Sequence, residues 1–153
     1  MFKTIMAALV FAATAVGFAS AADRGSREEA VAMLERAEAI YDAQGIDAVV
    51  EAVMDQSNSD FHDRDLYVFV FELGGATVAH GAKPALVGKD LTGLRDQDGH
   101  QFVKSMLEIA ARGETGWVDY KWPNPTTNVV EAKSSYVIPL GDGYAAGVGV
   151  YAE

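Results

Sequence analysis

Apolar positions along this chain change their spacing, and each change marks a different kind of element. Ala30, Met33, Leu34, Ala37, Ile40 and Tyr41 recur at steps of three and four, with Glu28, Glu35, Arg36 and Asp42 between them. That spacing predicts a long helix with one apolar stripe. Ser26-Arg27-Glu28-Glu29 has the form of a capping box, in which a hydroxyl and a carboxylate satisfy the first free amide groups, so the helix starts there. Gly45 interrupts it as a C-cap. Ile46–Met54 then repeats the helical pattern through Val49, Val50 and Val53.

From Leu66 the period becomes two. Residues 67–71 are rich in β-branched and aromatic side chains, and Gly74-Gly75 can supply the positive φ angles of a tight turn before Thr77–His80, which predicts a hairpin. A loop through Pro84, Gly88 and Gly93 leads to a helix expected over residues 101–112, with Phe102, Met106, Ile109 and Ala110 on one side and Gly113 as its stop. Three further strands follow, over residues 116–122, Val130–Leu140 and Tyr144–Tyr151, separated by Pro123-Asn124-Pro125 and Gly141-Asp142-Gly143 turns. This order is α+β. Its simplest layered solution is an antiparallel five-stranded sheet with the long N-terminal helix on one face and a ligand-sized crevice under the other, one helix being inserted between strands 2 and 3.

The amino terminus carries a pattern of its own: Lys3, an apolar run over residues 5–18, then Ala19-Ser20-Ala21. Together these have the order of a secretory signal, cleaved after Ala21 or Ala22. The run is shorter than the roughly 20 apolar residues of a spanning helix. Residues 1–22 are therefore expected to be a signal peptide, and residues 23–153 one periplasmic or secreted domain without stable membrane insertion. Loss of the leader removes one lysine and no acid, making the domain more acidic than the −10 of the whole chain. Basic residues scattered singly among more numerous acids exclude a nucleic-acid partner. There is no cysteine, so disulfides, zinc–thiolate sites and thiol nucleophiles are excluded and the fold must hold by burial alone. Neither a G-x-S-x-G elbow nor an H-E-x-x-H helix occurs, and the expectation is a binding protein without cofactor, not an enzyme.

Five segments carry a resemblance to a known family. They are Asp65-Leu66-Tyr67-Val68-Phe69-Val70; Ala79-His80 with Pro84-Ala85-Leu86-Val87-Gly88-Lys89; Gly116-Trp117-Val118-Asp119-Tyr120-Lys121-Trp122-Pro123; Lys133-Ser134-Ser135-Tyr136-Val137; and Gly147-Val148-Gly149-Val150-Tyr151. In order and spacing they resemble the strands of the single Cache domain of the second type, an extracellular PAS-like family that forms the sensing part of bacterial receptors. The resemblance implies a PAS-like fold, a small organic acid or amino acid as ligand, and a role in chemotaxis or signal transduction without catalysis. Receptors of the family continue into a transmembrane helix and a signalling module, whereas this chain ends at Glu153. The resemblance therefore implies a freestanding form that serves a separate membrane receptor, kinase or transporter.

The candidate ligand residues follow from strand parity and charge. In residues 117–122 parity puts Trp117, Asp119 and Lys121 on one face and Val118, Tyr120 and Trp122 on the other, and one of these faces should meet the crevice. Aromatic walls with a few polar groups suit a small-molecule pocket, although plain core is the competing role for Tyr120 and Trp122. Lys133 stands in an otherwise uncharged strand, where a bound carboxylate would pair it, and Tyr136 could add a hydroxyl. Positions three apart point to opposite faces, so both reach one site only across a bulge. His80 lies near where the family's pocket lies and could bond an acid or tie down its own loop. Arg64 is a further candidate as a bidentate carboxylate clamp. No metal is expected: His62 with Asp60, Asp63 and Asp65 lacks calcium-loop spacing, and Asp96, Asp98 and His100 read as caps of the next helix. The alternative to a sensor is an interaction module docking through its helix or a sheet edge; an unrecognised hydrolase ranks below both.

Overall fold

The computed structural model describes residues 21–152; of the signal peptide expected over residues 1–22, residues 1–20 lie outside the described residues. Helix α1 spans Arg27–Gln44 and α2 spans Ile46–Met54, with Gly45 between them at φ 84°. The capping box forms as the sequence indicates: Glu29 N–H donates to Ser26 Oγ and Ser26 N–H to Glu29 Oε2. Strands β1 (His62–Asp63), β2 (Leu66–Glu72), β3 (Thr77–His80), β4 (Gly116–Pro123), β5 (Val130–Leu140) and β6 (Tyr144–Tyr151) make one antiparallel sheet. Helix α3, Phe102–Ala111, sits between β3 and β4 in the chain.

The sheet order is β1-β2-β6-β5-β4, with β3 also on β2. Five principal strands are therefore joined by a two-residue strand that the sequence pattern is too short to reveal. β1 and β3 share the outer edge of β2, pairing with its beginning and its end. The last strand, β6, enters the middle of the sheet between β2 and β5.

Its strands are not simply apolar on one side. In β2 the residues from Leu66 to Phe71 are all buried, because both faces of the sheet are covered. The alternation is instead aliphatic against aromatic. Leu66, Val68 and Val70 pack with Ile138, Leu140, Val148 and Val150 beneath Met33, Leu34, Val49 and Val53 of the first two helices. Tyr67, Phe69 and Phe71 pack on the other face with Tyr120 and with Phe102, Val103 and Met106 of α3. Burial of each such side chain contributes roughly 1.5–3 kcal/mol, so both layers hold the fold.

The loop of Asp96, Asp98 and His100 does not cap α3, whose N-cap position is Gln101 without a side-chain bond. It seals the outer edge of β4. Asp96 Oδ2 accepts from Lys121 N–H at 3.1 Å, and the His100 ring meets the Asp119 carbonyl at 3.1 Å. An otherwise open strand edge is thereby occupied.

Candidate functional site

On the aromatic face, strand register places Tyr120, Lys133 and Tyr151 side by side across three strands. Lys133 is 2% exposed. Its Nζ donates to Tyr67 Oη at 2.7 Å and lies 4.2 Å from the Tyr67 ring centre, 5.0 Å from that of Tyr151, 5.6 Å from Phe69 and 5.8 Å from Tyr120. Tyr151 Oη donates to the Pro123 carbonyl at 2.8 Å and stands 3.5 Å from Tyr67 Oη. Tyr120 Oη bonds Ser135 Oγ at 2.9 Å.

Two glycines of β6 make the room. A Cβ on Gly149 would collide with Lys133 Cε and Ser135 Oγ, and one on Gly147 with the Phe69 ring. Glycine inside a strand often marks such a close approach, and here it lets a long amine lie flat on the sheet.

His80 ends β3 with its ring 5.1 Å from that of Tyr67 and 6.5 Å from that of Trp122. Its Nδ1 accepts from Lys83 N–H at 3.0 Å, which puts the ring proton on Nε2. Both roles weighed for this histidine are therefore open to it, since one nitrogen ties the loop and the other remains on the wall of the hollow. Lys83 itself stacks over Trp122 at 4.9 Å.

Burial dominates the electrostatics. It pushes Lys133 well below the ordinary lysine value, against the field of Asp65, while Lys83 adds to the depression. The same burial, helped by Lys133 and Lys83, pulls His80 down to about 3. It raises the Tyr67, Tyr120 and Tyr151 hydroxyls, which stay protonated. Asp65 is raised by burial too, although Gly25 N–H donates to it at 2.7 Å. Among the described residues no carboxylate lies within ion-pair distance of Lys133.

The expected crevice is nearly closed. The hollow bounded by Tyr67, His80, Phe102, Met106, Tyr120 and Trp122 has about 10 Å³, the scale of one water. Phe102 stacks on Tyr120 with ring centres 4.3 Å apart and planes 8° from parallel, and this pair fills the space. A larger groove of about 540 Å³ is lined by Tyr120, Lys133 and Tyr151 together with strand residues of the opposite parity, including Asp119, Ser134 and Val150, so Lys133 borders this groove and not the small hollow.

Of the seven residues singled out from sequence, Lys133, His80, Tyr120 and Trp122 come together, and three do not join them. Tyr136 lies on the helix side, because β5 runs without a bulge in register with both neighbours. There it packs against Trp117 at 5.2 Å, and Arg27 covers that indole at 4.2 Å. Arg64 sits in the turn before β2 and pairs with Glu29 and Asp63. Sequence reasoning passed over Tyr67, Tyr151, Phe102 and the two glycines. The Gly147-x-Gly149-x-Tyr151 alternation was the available signal.

Comparison with known proteins bears on this arrangement. A family model described as Cache domain (dCache_2) matches residues 33–153. The chain belongs to the Cache family. Among its relatives are the methyl-accepting chemotaxis protein McpP of Pseudomonas putida, 34% identical over 60% of this chain and 17% of that protein, and the sensor histidine kinase MctS of Rhizobium johnstonii, 29% identical over 78% and 26%. The chain spans about a quarter or less of the length of these curated relatives. Solved structures agree in fold. A Vibrio parahaemolyticus methyl-accepting chemotaxis protein aligns with TM-score 0.70 at 22% identity, covering 82% of this chain and 87% of that one. The periplasmic sensor domain of a chemotaxis protein gives 0.63 at 30%, covering 82% and 90%. A Cache chemosensory domain studied for carboxylic acid recognition gives 0.63 at 23%, covering 79% and 84%. No helix among the described residues of this Cache domain is long and apolar enough to cross a membrane.

Proposed function

We propose that this Cache domain is an exported sensor that binds a short carboxylic acid against Lys133, without transforming it, and serves a membrane receptor, kinase or transporter. The carrying observation is a fully buried lysine that has a phenol beside it and no acidic partner within reach among the described residues. A buried amine is costly unless something pairs it, and a ligand carboxylate meets that need. Tyr67 and the Nε2–H of His80 are the neighbouring hydroxyl and donor for the second oxygen.

Entry of even a short acid into the small hollow requires Phe102 to leave its stack on Tyr120, whereas the larger groove reaches Lys133 as it stands. Export rests on the leader pattern over residues 1–22, and the mature domain is read as residues 23–153. The recognition of carboxylic acid by a Cache chemosensory domain of the same fold supports the ligand class. The closed hollow favours a second reading, an interaction module without a small ligand. A thermal-shift series with acetate and propionate separates the two. Binding raises the melting temperature as RT ln(1 + [L]/Kd) requires, and no shift at millimolar acid selects the module.

A further inference from the structure

The inference drawn here rests on that reading and concerns what accompanies the acid into the site. The titratable and charged groups around Lys133 Nζ are Tyr67 from β2, His80 from β3, Tyr120 from β4, Tyr151 from β6, Lys83 from the loop after β3, and Asp65 ahead of β2. Burial keeps all three phenols neutral. His80 is neutral as well, because its Nδ1 accepts the Lys83 N–H and a second ring proton would break that bond. Lys83 disfavours a further positive charge nearby. Asp65 favours one, but it lies beyond ion-pair distance and is engaged by Gly25 N–H at 2.7 Å and by the Asn124 amide.

An ammonium on Lys133 in the unliganded protein is thus a nearly fully buried charge whose one hydrogen bond to the protein goes to a phenol; the faces of four rings offset part of its desolvation but supply no negative charge. Such a charge relieves its desolvation by releasing a proton more readily than an exposed lysine does, and buried lysines that are neutral at pH 7 are known. A carboxylate arriving alone would be an equally uncompensated anion. Both costs fall only when the amine gains a proton as the carboxylate settles beside it, leaving an ion pair with no net charge.

We propose that the site takes two ligands together, a short carboxylate and a proton that ends on Lys133 Nζ, so that the protein responds to the product of acid-anion and proton concentrations. The balance is simple. The Nζ lone pair accepts one proton from solvent, the carboxylate oxygens accept hydrogen bonds from the new ammonium, and no covalent bond forms between acid and protein. Above the point at which the free amine loses its proton, apparent affinity for the anion falls about tenfold per pH unit.

Isothermal titration of the mature domain with acetate and with propionate tests this, near pH 8, in phosphate and in Tris, whose ionisation heats differ. The expected result is uptake of about one proton per acid bound and a Kd that rises about tenfold between pH 7 and pH 8. Lys133→Met replaces the amine with an apolar chain of similar reach, folds on that account, and loses both binding and proton uptake. Binding with equal heats in the two buffers and a flat pH profile overturns the proton while leaving the acid site standing. Proton-coupled binding that survives Lys133→Met overturns its assignment to Lys133. No binding of either acid at any pH overturns the acid site and the inference with it.

Discussion

The two faces of this sheet are built from alternate residues of the same strands, yet they solve different problems. The helix side is mainly aliphatic: Val68, Val148 and Leu140 meet Met33 and Leu34, with Tyr41, Tyr136 and Tyr144 packed at the margin of that cluster. The α3 side sets Lys133, His80 and three tyrosine hydroxyls among aromatic rings. Burial on the first face only stabilises. On the second it also desolvates an amine and an imidazole, which weakens the fold and leaves the groups that the proposed acid would pair. One strand register thus separates the face that stabilises from the face of the proposed site.

The comparison can be broken most severely on the helix side. Leu34→Ala, at a position 1% exposed, is expected to cost about 2–5 kcal/mol in denaturant unfolding while leaving acid affinity per folded molecule unchanged. A loss of affinity would show that the faces are coupled. On the α3 side, Gly149→Ala drives a methyl into Lys133 and Ser135; a cost of about 1–3 kcal/mol together with loss of binding is expected. Lys133→Met should act in the opposite sense, raising stability by about 1–3 kcal/mol as the buried amine disappears and abolishing binding in calorimetry. Binding-dead variants are usually less stable, so a more stable one would identify the face.

Smaller within any one pH unit is the effect of pH through His80. In the unfolded chain the imidazole takes a proton as pH drops below about 6.5, while in the folded protein it refuses one until about 3. Stability contributed by the neutral ring is therefore complete above pH 6.5 and is lost as pH falls between these values, by at most about 1.4 kcal/mol per unit. His80→Gln should flatten the melting temperature against pH over that window. The least change is expected from Tyr136→Phe, which removes a hydroxyl on the helix side: stability within about 0.5 kcal/mol and acid affinity unaltered. A drop in affinity would return Tyr136 to the site.

Much of this was legible in the residues themselves. Helix starts and stops were, because capping groups and glycines act within a few positions; Ser26, Glu29, Gly45 and Gly113 needed no distant partner. Lys133 was legible as an anomaly, a charge inside an uncharged strand. Its cage was not, since Tyr67 and Tyr151 lie 66 residues before it and 18 after it and are ordinary aromatic strand residues by composition. The grouping of Lys133 with Tyr136 failed where parity had warned, since β5 carries no bulge to turn both toward one side. Asp96 was seen as a cap because its local sequence fits one, whereas the N–H it serves on Lys121 belongs to a strand 25 residues away.

By itself, then, the chain determined its three helices, its five principal strands, their order and the two-residue alternation that separates aliphatic from aromatic side chains, because these follow from local backbone preference and strand parity. Only the tertiary structure decided which alternation faces which helix and that β6 inserts between β2 and β5. That insertion carries Gly149 under the lysine and Tyr151 beside it, and with Tyr67 arriving from β2 it turns an odd buried lysine into a caged one. The physical reason is that desolvation depends on everything surrounding a group, and those surroundings come from five strands and a helix that only the folded chain brings together.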